Sequence, residues 1–194
     1  MSPFEIAASL LIVANVALVA WRSIWNYAFG VAGVLLYAFV FFEEKLYSDA
    51  LLQIFFLVLQ FYGWWNWSRS AADGGEITVE RMTPTARLTW LAGIALATGI
   101  WGWLMHRFTD AALPFVDGGI AMASVAAQIL LSRRKLENWV LWIAIDIASI
   151  GMYAAKGLRP TTALYVLLLA IALGGLIDWA RVERRQATPR DVAA

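Results

Sequence analysis

Apolar residues run along this chain in long blocks, with short polar joints between them. Seven blocks approach the about 20 residues that a bilayer-spanning helix needs: 4–20, 25–42, 49–67, 87–105, 115–132, 138–155 and 161–180. Each must be a helix, because lipid offers no partner to backbone N–H and C=O groups. The joints WRSI, EEKLYSD, HRFTDAAL, SRRKLE and KGLRPT are brief. Only 68–86, SRSAADGGEITVERMTPTA, is longer; its Gly-Gly, Pro84 and charges predict a surface loop, and EITVERM alternates like a short strand. The pattern predicts an all-α integral membrane protein with seven transmembrane helices in one domain, 1–185, followed by a polar cytoplasmic tail, 186–194. The N-terminal MSPFEIAASLLIVANVALVAWRS has Glu5 near its start and its arginine after the apolar run. That order suits a retained first span better than a cleaved leader.

Composition strengthens the membrane reading. The chain is 61% hydrophobic and 15% charged, against roughly 25% charged in soluble domains. It has no cysteine and a single histidine, His106, so thiolate and His-cluster metal sites are excluded, and no cofactor or metal is expected. A net charge of +1 carries no sign of a nucleic-acid partner. The distribution of the charge is informative. With alternating spans, four Lys and Arg (Lys45, Arg107, Lys156, Arg159) fall on the N-terminal side and eleven on the other. The positive-inside rule then predicts an inner (plasma) membrane protein with its N-terminus outside and its C-terminus in the cytoplasm.

A shift of 112 residues superposes parts of the chain without gaps: Arg22 on Arg134, Asn26 on Asn138, Gly63 on Gly175, Trp67 on Trp179 and Arg69 on Arg181. The repeat pairs spans one to three (repeat one, 4–67) with spans five to seven (repeat two, 115–180) and leaves span four (87–105) as a linker helix. The odd linker makes both triplets run the same way. This 3+1+3 parallel-repeat arrangement occurs in transporters, with the substrate at the repeat interface. A duplication without a transport role is the alternative.

Polar residues within spans are costly and face the bundle interior. Helical spacing groups Gln53, Gln60, Trp64 and Trp67; Asp117, Ser124 and Gln128; and Trp139, Trp142, Asp146, Ser149 and Tyr153. The second span offers Asn26, Gly30, Gly33 and Tyr37 on one face. Trp faces attract cations, Asp146 supplies negative charge, and amides serve hydroxyls. Together they suit a flat, cationic or polar heteroaromatic ligand, and they suit a phosphate poorly. Each residue has a structural alternative. Trp139 could anchor a span end, Asp146 could pair with another span, and the glutamines could join helices. Gly30 and Gly33 read as packing residues. Trp67 and Trp179, repeated beside Arg69 and Arg181, read as interface anchors, whereas Trp64 reads as the member of FYGWWNWSR nearest the substrate path. Asp178 and Glu183 read as solvated partners of nearby arginines. An intramembrane enzyme using Asp146, Glu137 and His106, or a binding subunit of an energised importer, remain as different classes.

Gln53 and Gln60 leading into FYGWWNW, with ENWVLWIAIDIASIGMYAAKGLRPTTALY at 137–165, resemble the PnuC family of bacterial vitamin transporters. The resemblance implies a full-length SWEET-like fold, a homotrimer, and facilitated uptake of an unphosphorylated vitamin, nicotinamide riboside foremost, that a cytoplasmic kinase then traps. It implies no enzyme activity. By this resemblance Trp139 and Trp142 sandwich the ring, while Gln53, Gln60 and Asn26 surround the substrate. Asp146 departs from the asparagine expected of nicotinamide riboside carriers and is similar to a thiamine-transporting branch with an upstream Glu, here Glu137 at a shorter spacing. Riboflavin is a third cargo.

Overall fold

The computed structural model describes residues 3–43, 47–74, 76–109, 113–155, 157 and 159–187. Lys45, Lys156 and Arg190, which enter the charge asymmetry, lie outside the described residues, as does the tail from 188 on. Within them the chain forms seven helices: α1 (Pro3–Ala20), α2 (Asn26–Glu43), α3 (Tyr47–Gly74), α4 (Pro84–Phe108), α5 (Pro114–Ser132), α6 (Glu137–Ala155) and α7 (Arg159–Ala187). Prolines open α4 and α5, where a missing N–H costs nothing. Thr83 caps α4 by accepting from the Ala86 N–H. Four helices among the described residues are long and apolar enough to cross a bilayer: Pro84–Phe108, Pro114–Ser132, Glu137–Ala155 and Arg159–Gln186. The apolar parts of α1 and α2, Ile6–Ala20 and Asn26–Val40, are shorter. Helices α3 and α7 outrun the predicted spans. With 28 and 29 residues at about 1.5 Å each, they exceed a hydrocarbon core of about 30 Å and carry their polar ends beyond it.

Helices α1, α2 and α3 pack in succession, as do α5, α6 and α7; α1 closes on α7 and α3 on α5. Helix α4 packs on α5 alone among the described helices. Of its residues only Gly102 is buried, with the Phe115 ring filling the space where a side chain would stand. Leu88, Leu96 and Trp103 of α4 lie exposed, a surface for lipid or for another copy.

The 112-residue offset is visible in the contacts. The turns after α1 and α5 both place an arginine in the left-handed region, Arg22 at φ 54° and Arg134 at φ 57°. Both are Schellman ends: Ser23 N–H reaches the Leu18 carbonyl and Lys135 N–H the Leu130 carbonyl, each at 2.9 Å. Glycine usually takes that position. An arginine there costs about 1–2 kcal/mol, and both arginines reach across to the other triplet. Next, Asn26 and Asn138 each fold their amide back onto the carbonyl three residues earlier, at 2.7 Å. The Tyr27 ring packs on Gly63 and the Trp139 ring on Gly175, where an added Cβ would come within 2.6 and 2.5 Å respectively. Trp67 donates its indole N–H to the Leu131 carbonyl and Trp179 to the Val19 carbonyl, both at 3.2 Å. These four rings form one layer: Tyr27 edge-on to Trp67, Trp67 against Trp179, and Trp179 edge-on to Trp139.

Trp67 and Trp179 are 0% exposed. They are core rings between the triplets and not interface anchors, because each indole N–H finds a carbonyl inside the bundle. Residues 76–83 form an extended strap across this end, which is the C-terminal face. Ile77 and Val79 are buried with the period of a strand. Among the described residues the expected strand amounts to a single parallel bridge, Glu80 with Lys135, and no second strand lies alongside to continue the ladder.

Candidate substrate site

A cavity of about 280 Å³ lies between the triplets, directly above the four-ring layer. Small-molecule sites run roughly 300–1,000 Å³, so it is of the right order. Its walls come from repeat-related positions: Val34 and Asp146, Val16 and Gln128, Gln53 and Tyr165, Gln60 and Ala172 all line it. The positions are related by the 112-residue offset and the side chains differ, so the cavity has two unlike walls. Repeat one contributes Asn15, Gln53 and Gln60. Repeat two contributes Trp139, Trp142 and Asp146. Where repeat two carries Trp142, repeat one has Gly30. An added Cβ on Gly30 would come within 2.5 Å of the Gln60 amide nitrogen and 2.8 Å of that of Asn15. The glycine thus makes room for two amides.

Six of the expected site residues meet in this cavity: Gln53, Gln60, Gln128, Trp139, Trp142 and Asp146. Gln60, Gln128, Trp139 and Asp146 are buried. The buried Gln60 Oε1 and Trp139 Nε1 have no hydrogen-bond partner among the described residues, and such atoms ordinarily find one. The Tyr27 hydroxyl and Asn138 Oδ1, on residues outside the cavity lining, are likewise buried without a partner among the described residues. Among the described residues the lining includes Asp146 and no lysine or arginine.

A model of the nicotinamide mononucleotide transporter family matches residues 2–181. The chain belongs to this family. Relatives within it include the nicotinamide riboside transporter PnuC of Escherichia coli (strain K12), 29% identical over 89% of this chain and 83% of that protein. The nicotinamide riboside transporter PnuC of Neisseria mucosa is 31% identical over 89% and 70%. The riboflavin/roseoflavin transporter RibM of Streptomyces davaonensis is 26% identical over 95% and 88%. The crystal structure of the vitamin B3 transporter PnuC superposes with a TM-score of 0.76 at 27% identity, over 93% of this chain and 82% of that one. The seven-helix fold is therefore that of a membrane transporter.

Three expected residues stand outside the cavity of this family member. Asn26 is buried, but its amide donates to the Ser23 carbonyl and its own carbonyl accepts from Asn15 at 2.7 Å. It holds a helix start. Trp64 lies outside Tyr27, stacked at 6.4 Å; the tyrosine, wedged onto Gly63, takes the inner place. Tyr153 stacks on Tyr165 at 5.3 Å, and Tyr165 is the ring that lines the cavity. Helical spacing along one helix cannot tell which side chain of a neighbouring helix interposes.

The lining also includes Asn15, Tyr37, Phe56, Ser124 and Tyr165. Ser124 and Tyr37 sat on predicted stripes. Asn15 had a signal as well, being a lone amide within an otherwise apolar first span. Glu137 does not reach the cavity. Its carboxylate accepts from the Met82 N–H at 3.1 Å and pairs with Arg87 at 2.9 Å. His106 packs on Phe115. Asp146, Glu137 and His106 are therefore not one constellation. Asp178 and Glu183 do pair with arginines, but across the fold: Asp178 with Arg22 and Glu183 with Arg81.

Proposed function

We propose that the protein carries nicotinamide riboside across the plasma membrane by facilitated diffusion, with Trp139 and Trp142 holding the pyridinium ring. The supporting observation is the charge of the cavity: among the described residues, one carboxylate, Asp146, beside tryptophan faces, and no cationic side chain. Burying an unpaired charge is costly, so a cationic ring over Trp142 and near Asp146 is favoured on both counts. The same lining disfavours nicotinamide mononucleotide, whose phosphate would meet the carboxylate without an arginine or lysine to pair with. Gln53, Gln60, Gln128 and Asn15 offer hydrogen bonds to ribose hydroxyls and a carboxamide.

Thiamine is also a flat cation and is the second reading, favoured by Asp146. Against it, Glu137 is occupied by Arg87 and the strap. Riboflavin is neutral and leaves Asp146 without a counter-charge. The surplus of arginines on the C-terminal face supports a cytoplasmic C-terminus and an N-terminus outside. The bare apolar surface of α4 suits the contact between copies in a homotrimer. A cytoplasmic kinase would trap the carried vitamin by adding a phosphate that this cavity does not accept.

Uptake of labelled nicotinamide riboside, its mononucleotide, thiamine and riboflavin into proteoliposomes tests the reading. The expected result is transport of the riboside, recovered chemically unchanged, with no accumulation above equilibrium. Preferential uptake of the mononucleotide or riboflavin would sink it. Accumulation driven by a proton gradient would replace facilitated diffusion by proton coupling.

A further inference from the structure

Two seams close the C-terminal face beneath the cavity, one between α1 and α7 and one between α3 and α5. By the 112-residue offset they are built from the same contacts. In the first, Arg22 pairs with Asp178 and Trp179 bonds the Val19 carbonyl. In the second, Arg134 bonds the Asn66 carbonyl at 3.0 Å and Trp67 bonds the Leu131 carbonyl. A carrier that releases its substrate on this face must part at least one of them.

The likeness ends at Arg134. Its guanidinium also donates to the Thr78 carbonyl at 3.1 Å and to the Glu80 carboxylate at 3.3 Å. Glu80 exchanges backbone hydrogen bonds with the turn, receiving from Leu136 N–H at 2.8 Å and donating to the Arg134 carbonyl at 3.0 Å. The strap is bound to α3 as well, where Thr78 N–H donates to Ser70 Oγ at 3.1 Å. It is bound to α7, where Val79 N–H donates to the Gln186 side chain at 2.9 Å. One strip of chain thus fastens the first triplet to the second across the α3–α5 seam. Ser132 adds a bond to the Leu59 carbonyl at 3.3 Å; its repeat mate is Ala20, which has no hydroxyl.

The α1–α7 seam has less holding it. Arg22 and Asp178 are 24% and 44% exposed, against 13% for Arg134 and 46% for its partner Glu80, so the difference between the two pairs lies in the arginine and in the backbone groups it holds. The neighbouring Trp21 and Trp25 lie open. Exposed ion pairs contribute little, whereas a network tied to backbone groups must lose many bonds at once. The weaker seam parts first.

We infer that the α1–α7 seam is the door through which substrate leaves toward the C-terminal face, with Arg22 and Asp178 as its gate. The α3–α5 seam, fastened by the strap, is the hinge. Opening breaks the Arg22–Asp178 pair and the Trp179–Val19 bond and carries α7 away from α1 together with the α5–α6 turn and the strap that both hold, pivoting where the strap and Arg134 meet α3 at Ser70 and Asn66. This inference rests on the transport reading above.

The chain has no cysteine, so paired thiols can be placed cleanly. Arg22→Cys with Asp178→Cys, and Arg134→Cys with Asn66→Cys, occupy repeat-equivalent positions. Each pair is bridged with a short bis-methanethiosulfonate reagent, and each is compared with its own reduced form for nicotinamide riboside uptake. The bridge across 22 and 178 should abolish uptake, reductant should restore it, and the bridged protein should still quench its tryptophan fluorescence on binding the vitamin. The bridge across 66 and 134 should leave uptake as in the reduced form.

Milder variants, Val19→Cys and its repeat mate Leu131→Cys, keep the test valid should a double variant fail to fold. A membrane-impermeant maleimide applied to the C-terminal face during turnover should label position 19 faster than position 131. Equal block by both bridges, block only at 66 and 134, or faster labelling at 131 overturns the door while transport stands. A parent protein that moves none of the tested vitamins overturns the transport reading and the door with it.

Discussion

Replacing Gly30 by alanine should weaken substrate binding without weakening the fold. The added Cβ would stand 2.5 Å from the Gln60 amide nitrogen and 2.8 Å from that of Asn15. Gln60 is the end of a side chain that can rotate, whereas the Asn15 amide is held by its bond to the Asn26 carbonyl at 2.7 Å, so Gln60 gives way first. Gln60 must then leave its slot, which displaces the amide proposed to meet the ligand. A hydrogen bond contributes about 0.5–1.5 kcal/mol net, which is roughly a two- to twelvefold rise in Kd. Stability should change little, since the about 1 kcal/mol that alanine gains over glycine in a helix is set against strain on the Asn15–Asn26 bond. Two glycines frame the comparison. Gly93→Ala, with nothing within 4 Å of the new Cβ, should stabilise and leave binding alone. Gly175→Ala drives a Cβ to 2.5 Å from the rigid Trp139 ring, where overpacking of about 1–3 kcal/mol outweighs the helical gain. Nicotinamide riboside titrations of tryptophan fluorescence and melting curves in detergent read both quantities. A Gly30→Ala protein that binds like the parent refutes the slot.

The cavity wall should respond more strongly: Trp142→Ala and Asp146→Ala should each weaken cationic-vitamin binding by more than about 1.4 kcal/mol, or tenfold, seen in the same titration. Trp64→Ala and Tyr153→Ala, whose rings lie behind Tyr27 and Tyr165, should leave Kd near that of the parent. The strap should be acid-sensitive. The hydrogen bond from Lys135, opposed by partial burial and aided by the charges of Lys135 and Arg134, holds the Glu80 carboxyl below its usual pKa of 4.5. A carboxyl with a depressed folded pKa gives its full contribution above the ordinary value and loses it as pH falls through the folded one. Melting temperature should therefore fall on acidification through that range, and Glu80→Gln should flatten this part of the profile.

The sequence by itself determined the class of the protein and the chemistry of one wall. Long apolar blocks with brief joints leave helices as the only way to satisfy a backbone in lipid. Two tryptophans and a carboxylate at successive turns of one helix are legible because 3.6 residues per turn align them. The 112-residue offset predicted that two triplets face each other. Only the tertiary structure decided which residues that facing puts inside. Trp67 and Trp179 read as anchors because their arginines follow at the span ends, yet each indole finds a carbonyl on the opposite triplet and becomes core. Trp64, Asn26 and Tyr153 were displaced by Tyr27, by a helix start and by Tyr165, neighbours that no single-helix periodicity contains. Asn15 and Gly30 matter through Gln60; the three lie on three successive helices and meet in space. The strap, too, needed the fold. Its alternating residues spell a short strand, but whether they pair, cover or fasten depends on what lies beneath them. Here that is Arg134, held in a left-handed turn that only its contacts across the seam compensate.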